Sequence, residues 1–155
     1  PHFRNAPWLK GLPFVPVSAH HLMLSAARTK HPDSMFVAPD KGHERRVKEL
    51  KGFEKMRTDS YTVVIKDDKT LGALKGKSVG VVDDIIETGG TMIAFHDIAQ
   101  SHGPKELFAV ATHGVLHSGV SRIQKSYGTL FLSNSVNQSE ATVDIAPLIA
   151  AALLA

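Results

Sequence analysis

Val79-Gly80-Val81-Val82-Asp83-Asp84-Ile85-Ile86-Glu87-Thr88-Gly89-Gly90-Thr91 leads a strand into the opening of a helix, and the order of its residues decides the fold class. The segment 79–82 is apolar without alternation, the pattern of a parallel strand covered on both faces. Two carboxylates end it, and a hydroxyl and two glycines follow. Glycine admits positive φ and lets the backbone come close to an anion. The N–H groups and dipole of a helix beginning near Thr91 favour phosphate at the same place. Asp83 and Asp84 would repel that phosphate, which assigns them to ribose hydroxyls or a bound Mg²⁺. A sugar phosphate fits both halves of this cradle. An ordinary turn with a capping side chain accounts for Asp84 or Thr88 alone, but not for the whole run.

Outward from this stretch, short apolar segments alternate with helical patterns, which predicts an α/β domain with an open, mainly parallel sheet flanked by helices. Strands are expected near 35–38, 61–65, 79–82, 107–112 and 129–132. Helices are expected near 19–29 behind Ser18 as N-cap, and near 44–50, 91–101 (ending at Gly103), 120–125 and 146–154. The last of these has no polar face, so it is either a core helix or packs on another subunit; the core is the better reading. In an open α/β sheet, ligands collect outside the carboxyl ends of the strands. Asp40, Asp83 and His113 all fall at that edge and are grouped in one site.

The chain of 155 residues suffices for one compact domain, with residues 1–155 read as a single unit. A net charge of +3 with scattered basic residues suits anionic small molecules and lacks the clustered stripe of a nucleic-acid binder. No cysteine is present, which excludes disulfides and thiolate zinc sites and is compatible with a reducing cytosol. The longest apolar stretch, 145–155, is too short to span a bilayer, and no signal-peptide pattern opens the chain, so a soluble, cytoplasmic protein is expected. The opening Pro1-His2-Phe3 reads as the interior of a domain.

Asp40-Lys41-Gly42-His43 follows one expected strand and precedes a helix containing Glu44, Arg45 and Arg46, giving a second anion-binding turn. There Asp40 can hold Mg²⁺ while the backbone and Arg45 or Arg46 face phosphate oxygens. A surface turn with solvated charges is the plainer alternative. Of the nine histidines, His20, His21, His31, His96, His102 and His117 show no common ligand spacing and are expected at the surface or satisfied in the core. His113 either lines the nucleotide or ribose site or has a structural role.

The motif at 81–91 resembles the phosphoribosyl-binding motif shared by type I phosphoribosyltransferases and ribose-phosphate pyrophosphokinases. Segments 38–46, 111–119 and 132–136 resemble the pyrophosphokinases specifically and occur in that family's order. The resemblance runs from about His2 to the C-terminus and corresponds to the second half of such an enzyme, with the N-terminal half absent. It implies a phosphoribosyltransferase-type fold and pyrophosphate transfer from Mg-ATP to ribose 5-phosphate, giving phosphoribosyl pyrophosphate and AMP. It also implies a homo-oligomer or association with a complete synthetase, without nucleic acid or membrane.

The family's roles carry over to matching positions of this chain. Ribose 5-phosphate falls on Asp83, Asp84, Thr88, Gly89, Gly90 and Thr91. Pyrophosphate or nucleotide falls on Asp40, Lys41, Gly42, His43, Arg45, Arg46 and His113, with His43 standing where the family usually has a second glycine. His2 and Asp40 are implied as Mg²⁺ ligands. Lys55 and Arg57 match the Lys-x-Arg of the flexible catalytic loop, with Lys66 as the fallback cation. Between Arg46 and Lys55 the family has a longer helix and a further strand, where this chain has only 47–54. A stand-alone phosphoribosyltransferase and a non-catalytic sugar-phosphate-binding subunit are the alternatives.

Overall fold

The computed structural model describes residues 11, 15–39, 51–52, 55–57, 63–65 and 71–154, with backbone alone between 51 and 65. Five parallel strands form the main sheet: β1 (Met35–Ala38), β2 (Lys51–Gly52), β5 (Ser78–Ile86), β6 (Glu106–Gly114) and β7 (Leu130–Leu132), in the order β2-β1-β5-β6-β7. Two further strands, β3 (Lys55–Arg57) and β4 (Val63–Ile65), make a separate antiparallel pair. The helices are α1 (His20–Lys30), α2 (Gly90–Ser101), α3 (His117–Tyr127) and α4 (Ala146–Leu153).

The unalternating strands are buried on both faces because helices cover both. One core cluster joins Val79, Val81, Ala109 and Leu132 to Met92 and Phe95 of α2 and to Val120, Ile123 and Tyr127 of α3, with Leu71 and Leu74 of a 3-10 turn. The other joins Val82, Phe108, Val110 and Phe131 to Met23, Leu24 and Ala27 of α1. Three layers result, and the C-terminal ends of β5, β6 and β7 share one edge.

This is the expected open α/β architecture, with local departures. Of the strand expected at 61–65 the described part, Val63–Ile65, is outside the main sheet: β4 pairs with β3 instead, through Met56 with Val64 and Arg57 with Val63, and lies against α2. A two-residue strand, β2, precedes Lys55 and lies beside Val37 and Ala38. β5 runs on to Ile86, so Asp83 and Asp84 lie inside the strand rather than after it. The N-cap of α1 is Ala19, and Ser18 Oγ only reaches the His20 amide at 3.4 Å.

α4 is not a core helix. None of its residues is buried, and Leu153 and Leu154 are 81% and 88% exposed. Ile145 and Leu148 alone are packed on the α1 side of the sheet, so eight residues at the end of the described chain bring only about one turn to the core. The expected helix at 44–50 lies outside the described residues. Among the described residues no helix is long and apolar enough to cross a membrane.

Candidate functional site

The site is built where β5 ends. Successive strand residues point to opposite faces, so Asp83 continues the Val79–Val81 face toward α2 and α3, while Asp84 continues that of Val82. Both are half-buried. The Asp84 amide donates to Asp83 Oδ1 at 2.8 Å, which fixes one carboxylate against the strand's own backbone. Burial first, then the charges of Asp97 and Asp83, raise the Tyr127 phenol well above its ordinary range.

Beyond Ile86 the chain turns through exposed Glu87 and Thr88 to Gly89, whose φ of 76° is the left-handed conformation that favours glycine. α2 starts at Gly90. No side chain caps it and its first turn holds no acid, so main-chain N–H groups present its positive end. Thr88 Oγ1 lies 3.4 Å from the Gly90 amide. Gly89 is buried, whereas Gly90 and Thr91 are half-buried. A carboxylate pair, a left-handed glycine and an uncapped helix N-terminus thus adjoin within nine residues, an arrangement that can bind a polyol at one end and an anion at the other.

His113 joins them from the next strand, its Cα opposite Ile85 and two residues beyond the Asp83–Ala111 pair. Serine hydroxyls of the β7 end hold it. Ser133 and Ser135 both donate to the Thr112 carbonyl, at 2.6 and 2.9 Å. Ser133 Oγ also lies 2.9 Å from Ser135 Oγ, and Ser135 Oγ lies 2.7 Å from His113 Nδ1, so the two serines hold the ring.

The structure therefore gathers Asp83, Asp84, Thr88, Gly89, Gly90, Thr91 and His113 at one edge. Asp40, Lys41, Gly42, His43, Arg45, Arg46, His2 and Lys66 lie outside the described residues. Lys55 and Arg57, expected in a flexible loop, are in β3, because the β-branched run Val63-Val64-Ile65 supplies a pairing partner. Among the described residues no three His, Asp or Glu side chains are grouped to hold a metal. Sequence reasoning missed Ser133 and Ser135 as the residues that orient His113, although 132–136 ends a strand at the same edge. It also missed Gly119, which only a view of the helix against the loop reveals.

A doubly covered parallel sheet with an acidic strand end and a glycine-opened helix defines an α/β domain of the kind whose ligands collect at the carboxyl edge. The chain belongs to the phosphoribosyl transferase domain family, whose model matches residues 17–144. It is 37% identical over 127 residues to the ribose-phosphate pyrophosphokinase of Pyrococcus abyssi, covering 76% of this chain and 44% of that protein. With the enzyme of the same name from Pyrococcus furiosus it shares 32% identity over 155 aligned residues, 89% of this chain and 54% of that one. Its fold matches the crystal structure of phosphoribosylpyrophosphate synthetase from Mycobacterium smegmatis with a TM-score of 0.63 at 22% identity, over 88% of this chain and 49% of that one. The chain spans about half the length of the curated relatives it matches.

Proposed function

We propose that this chain is the sugar-phosphate-binding, C-terminal half of a ribose-phosphate pyrophosphokinase. The reading rests on the cradle at 83–91, together with relatives of that name that match across the same residues. In the proposed complex Asp83 and Asp84 accept hydrogen bonds from ribose hydroxyls, and the main chain of Thr88, Gly89, Gly90 and Thr91 receives the 5-phosphate. The oxygen of the 1-hydroxyl forms a bond to the β-phosphorus of ATP as the bond from that phosphorus to the α-phosphate oxygen breaks. AMP leaves, and the hydroxyl proton is released.

Lys55 and Arg57 neutralise charge on the transferring group. Asp40, Lys41, Gly42, His43, Arg45 and Arg46 face pyrophosphate or nucleotide, and His113, held by Ser135, lines the same site. Asp40 offers a carboxylate oxygen, the donor Mg²⁺ prefers, and His2 an imidazole; the ion, when bound, would lower the charge on the phosphates. The protein would work in the cytoplasm as a homo-oligomer or beside a complete synthetase.

Incubation with Mg-ATP and ribose 5-phosphate, alone and beside a complete synthetase, tests the reading. Dependence of AMP and phosphoribosyl pyrophosphate formation on this chain supports it. Base-dependent release of pyrophosphate from phosphoribosyl pyrophosphate would make the chain a phosphoribosyltransferase instead. Saturable ribose 5-phosphate binding with neither reaction would make it a non-catalytic subunit.

A further inference from the structure

We propose that α3 sets the shape of the phosphate loop, with Gly119 as the positioning residue that makes this possible. The inference rests on the sugar-phosphate reading of 88–91 and deepens it. Gly119, Ile123 and Tyr127 recur at helical spacing on one face of α3, and in that order they meet the loop and the first turn of α2. A Cβ on Gly119 would stand 1.9 Å from the Glu87 carbonyl oxygen, 2.9 Å from its carbonyl carbon and 3.1 Å from that of Thr88. Ile123 Cδ1 and Cγ1 lie 3.1 Å from where a Cβ of Gly89 would be, and the Gly119 carbonyl oxygen lies 3.4 Å from that point. The Tyr127 hydroxyl donates to the Met92 carbonyl at 2.7 Å. Burial above all, then Asp97 and Asp83, keep that phenol un-ionised and therefore a donor. Just beyond β6, the Val115 amide donates to the Ile86 carbonyl at 2.8 Å and pins the entrance to the loop.

The contact at Gly119 is backbone against backbone, so no side chain can swing aside. Val120 and Ile123 are fully buried, which anchors α3, while Glu87 and Thr88 are exposed. A methyl group at 119 would therefore drive the loop away rather than the helix, by about 1.5 Å if ordinary contact is to be restored. An N–H···O bond tolerates only about 2.7–3.2 Å between donor and acceptor, so amides displaced that far lose a bound phosphate. The loop carries the ligand contacts, and α3 dictates where they stand.

The test uses the nitrogen-15-labelled chain, following the amide signals of Gly89, Gly90 and Thr91 during titration with ribose 5-phosphate. Gly119→Ala is expected to shift these signals in the free protein and weaken binding about tenfold or more, as one or more charge-assisted hydrogen bonds go out of range. Tyr127→Phe, which removes one hydroxyl, should weaken it about threefold. Gly103→Ala is the stability control. With a φ of 65° and open space around it, it should lower the melting temperature and leave both affinity and loop signals unchanged. If Gly119→Ala does not fold, Tyr127→Phe carries the test. Wild-type affinity and unmoved loop signals in the folded variants would overturn the positioning role while leaving the sugar-phosphate reading intact. Absence of saturable binding by the wild-type chain would overturn both.

Discussion

At the N-terminal ends of β5 and β6, polar side chains close on one another, whereas at the C-terminal ends of the same strands the polar groups include a strand-end carboxylate pair and main-chain amides. In the first region Ser34 donates to Ser78 at 2.8 Å, Ser78 donates to Glu106, and Glu106 also accepts from His31 Nδ1 at 3.0 Å. The His31 ring stacks on Phe108 with centroids 4.1 Å apart. Serine, carboxylate and imidazole there satisfy each other and tie α1 to the sheet. In the second region the Asp84 amide bonds Asp83, His113 meets Ser135, and the positive φ of Gly89 leads into α2 with no side-chain cap. The two edges differ in what the chain supplies: a side-chain network that ties a helix to the sheet at one, and strand-end carboxylates beside the opening of a helix at the other.

The sharpest way to break this contrast is to spoil the loop. Gly89→Val should abolish sugar-phosphate binding, because a β-branched residue does not tolerate a φ of 76° and its Cβ would crowd Ile123 at 3.1 Å. Normal binding by a folded Gly89→Val protein, measured calorimetrically, would reduce the loop to a connector.

Next in size, Lys55→Ala and Arg57→Ala, assayed in an enzyme holding both halves, should each lower kcat about a hundredfold with little change in substrate affinity. A silent Lys55→Ala beside a large defect in Lys66→Ala would move the catalytic cation to the segment after β4. Asp84→Asn should weaken ribose 5-phosphate binding by about 1.5–3 kcal/mol through loss of a charge-assisted hydrogen bond, with the melting temperature unchanged.

The smallest effect belongs to the opposite edge. Glu106→Gln should cost no more than about 1 kcal/mol, since that side chain is 42% exposed and its interactions are screened. Ligand affinity should stay the same. The Ser78 hydrogen bond, against the opposing effect of burial and with help from His31, lowers the Glu106 carboxyl below its ordinary 4.5. A group depressed in the folded state contributes stability above its unfolded pKa, which is lost as pH falls through the folded value. The melting temperature of the wild type should therefore drop as the pH is taken below about 4.5, and drop less in Glu106→Gln. The Asp144 carboxyl, lowered by the Ala146 amide and then by Asn134, adds to the same acid-side loss in both proteins.

The central strands and the cradle were legible because their signals are local: unbroken apolar runs for β1, β5, β6 and β7, and adjacent acids and glycines for 83–91. What sequence hid was tertiary. Nothing in 61–65 distinguishes a strand of the main sheet from the partner of a hairpin, since both are β-branched runs. The apolar face of α4 cannot announce that only Ile145 and Leu148 reach the core. Gly119 is invisible in sequence, because its reason is a carbonyl from a segment thirty-two residues earlier, that of Glu87. The orientation of His113 depends likewise on two serines of another strand.

Amide chemical-shift mapping with ribose 5-phosphate reads both edges at once. Saturable shifts are expected from Asp83 to Thr91, with the signals of Ser34, Ser78 and Glu106 unmoved. Saturable shifts at Ser34, Ser78 and Glu106 with none between Asp83 and Thr91 would contradict the assignment of the carboxyl edge as the ligand site.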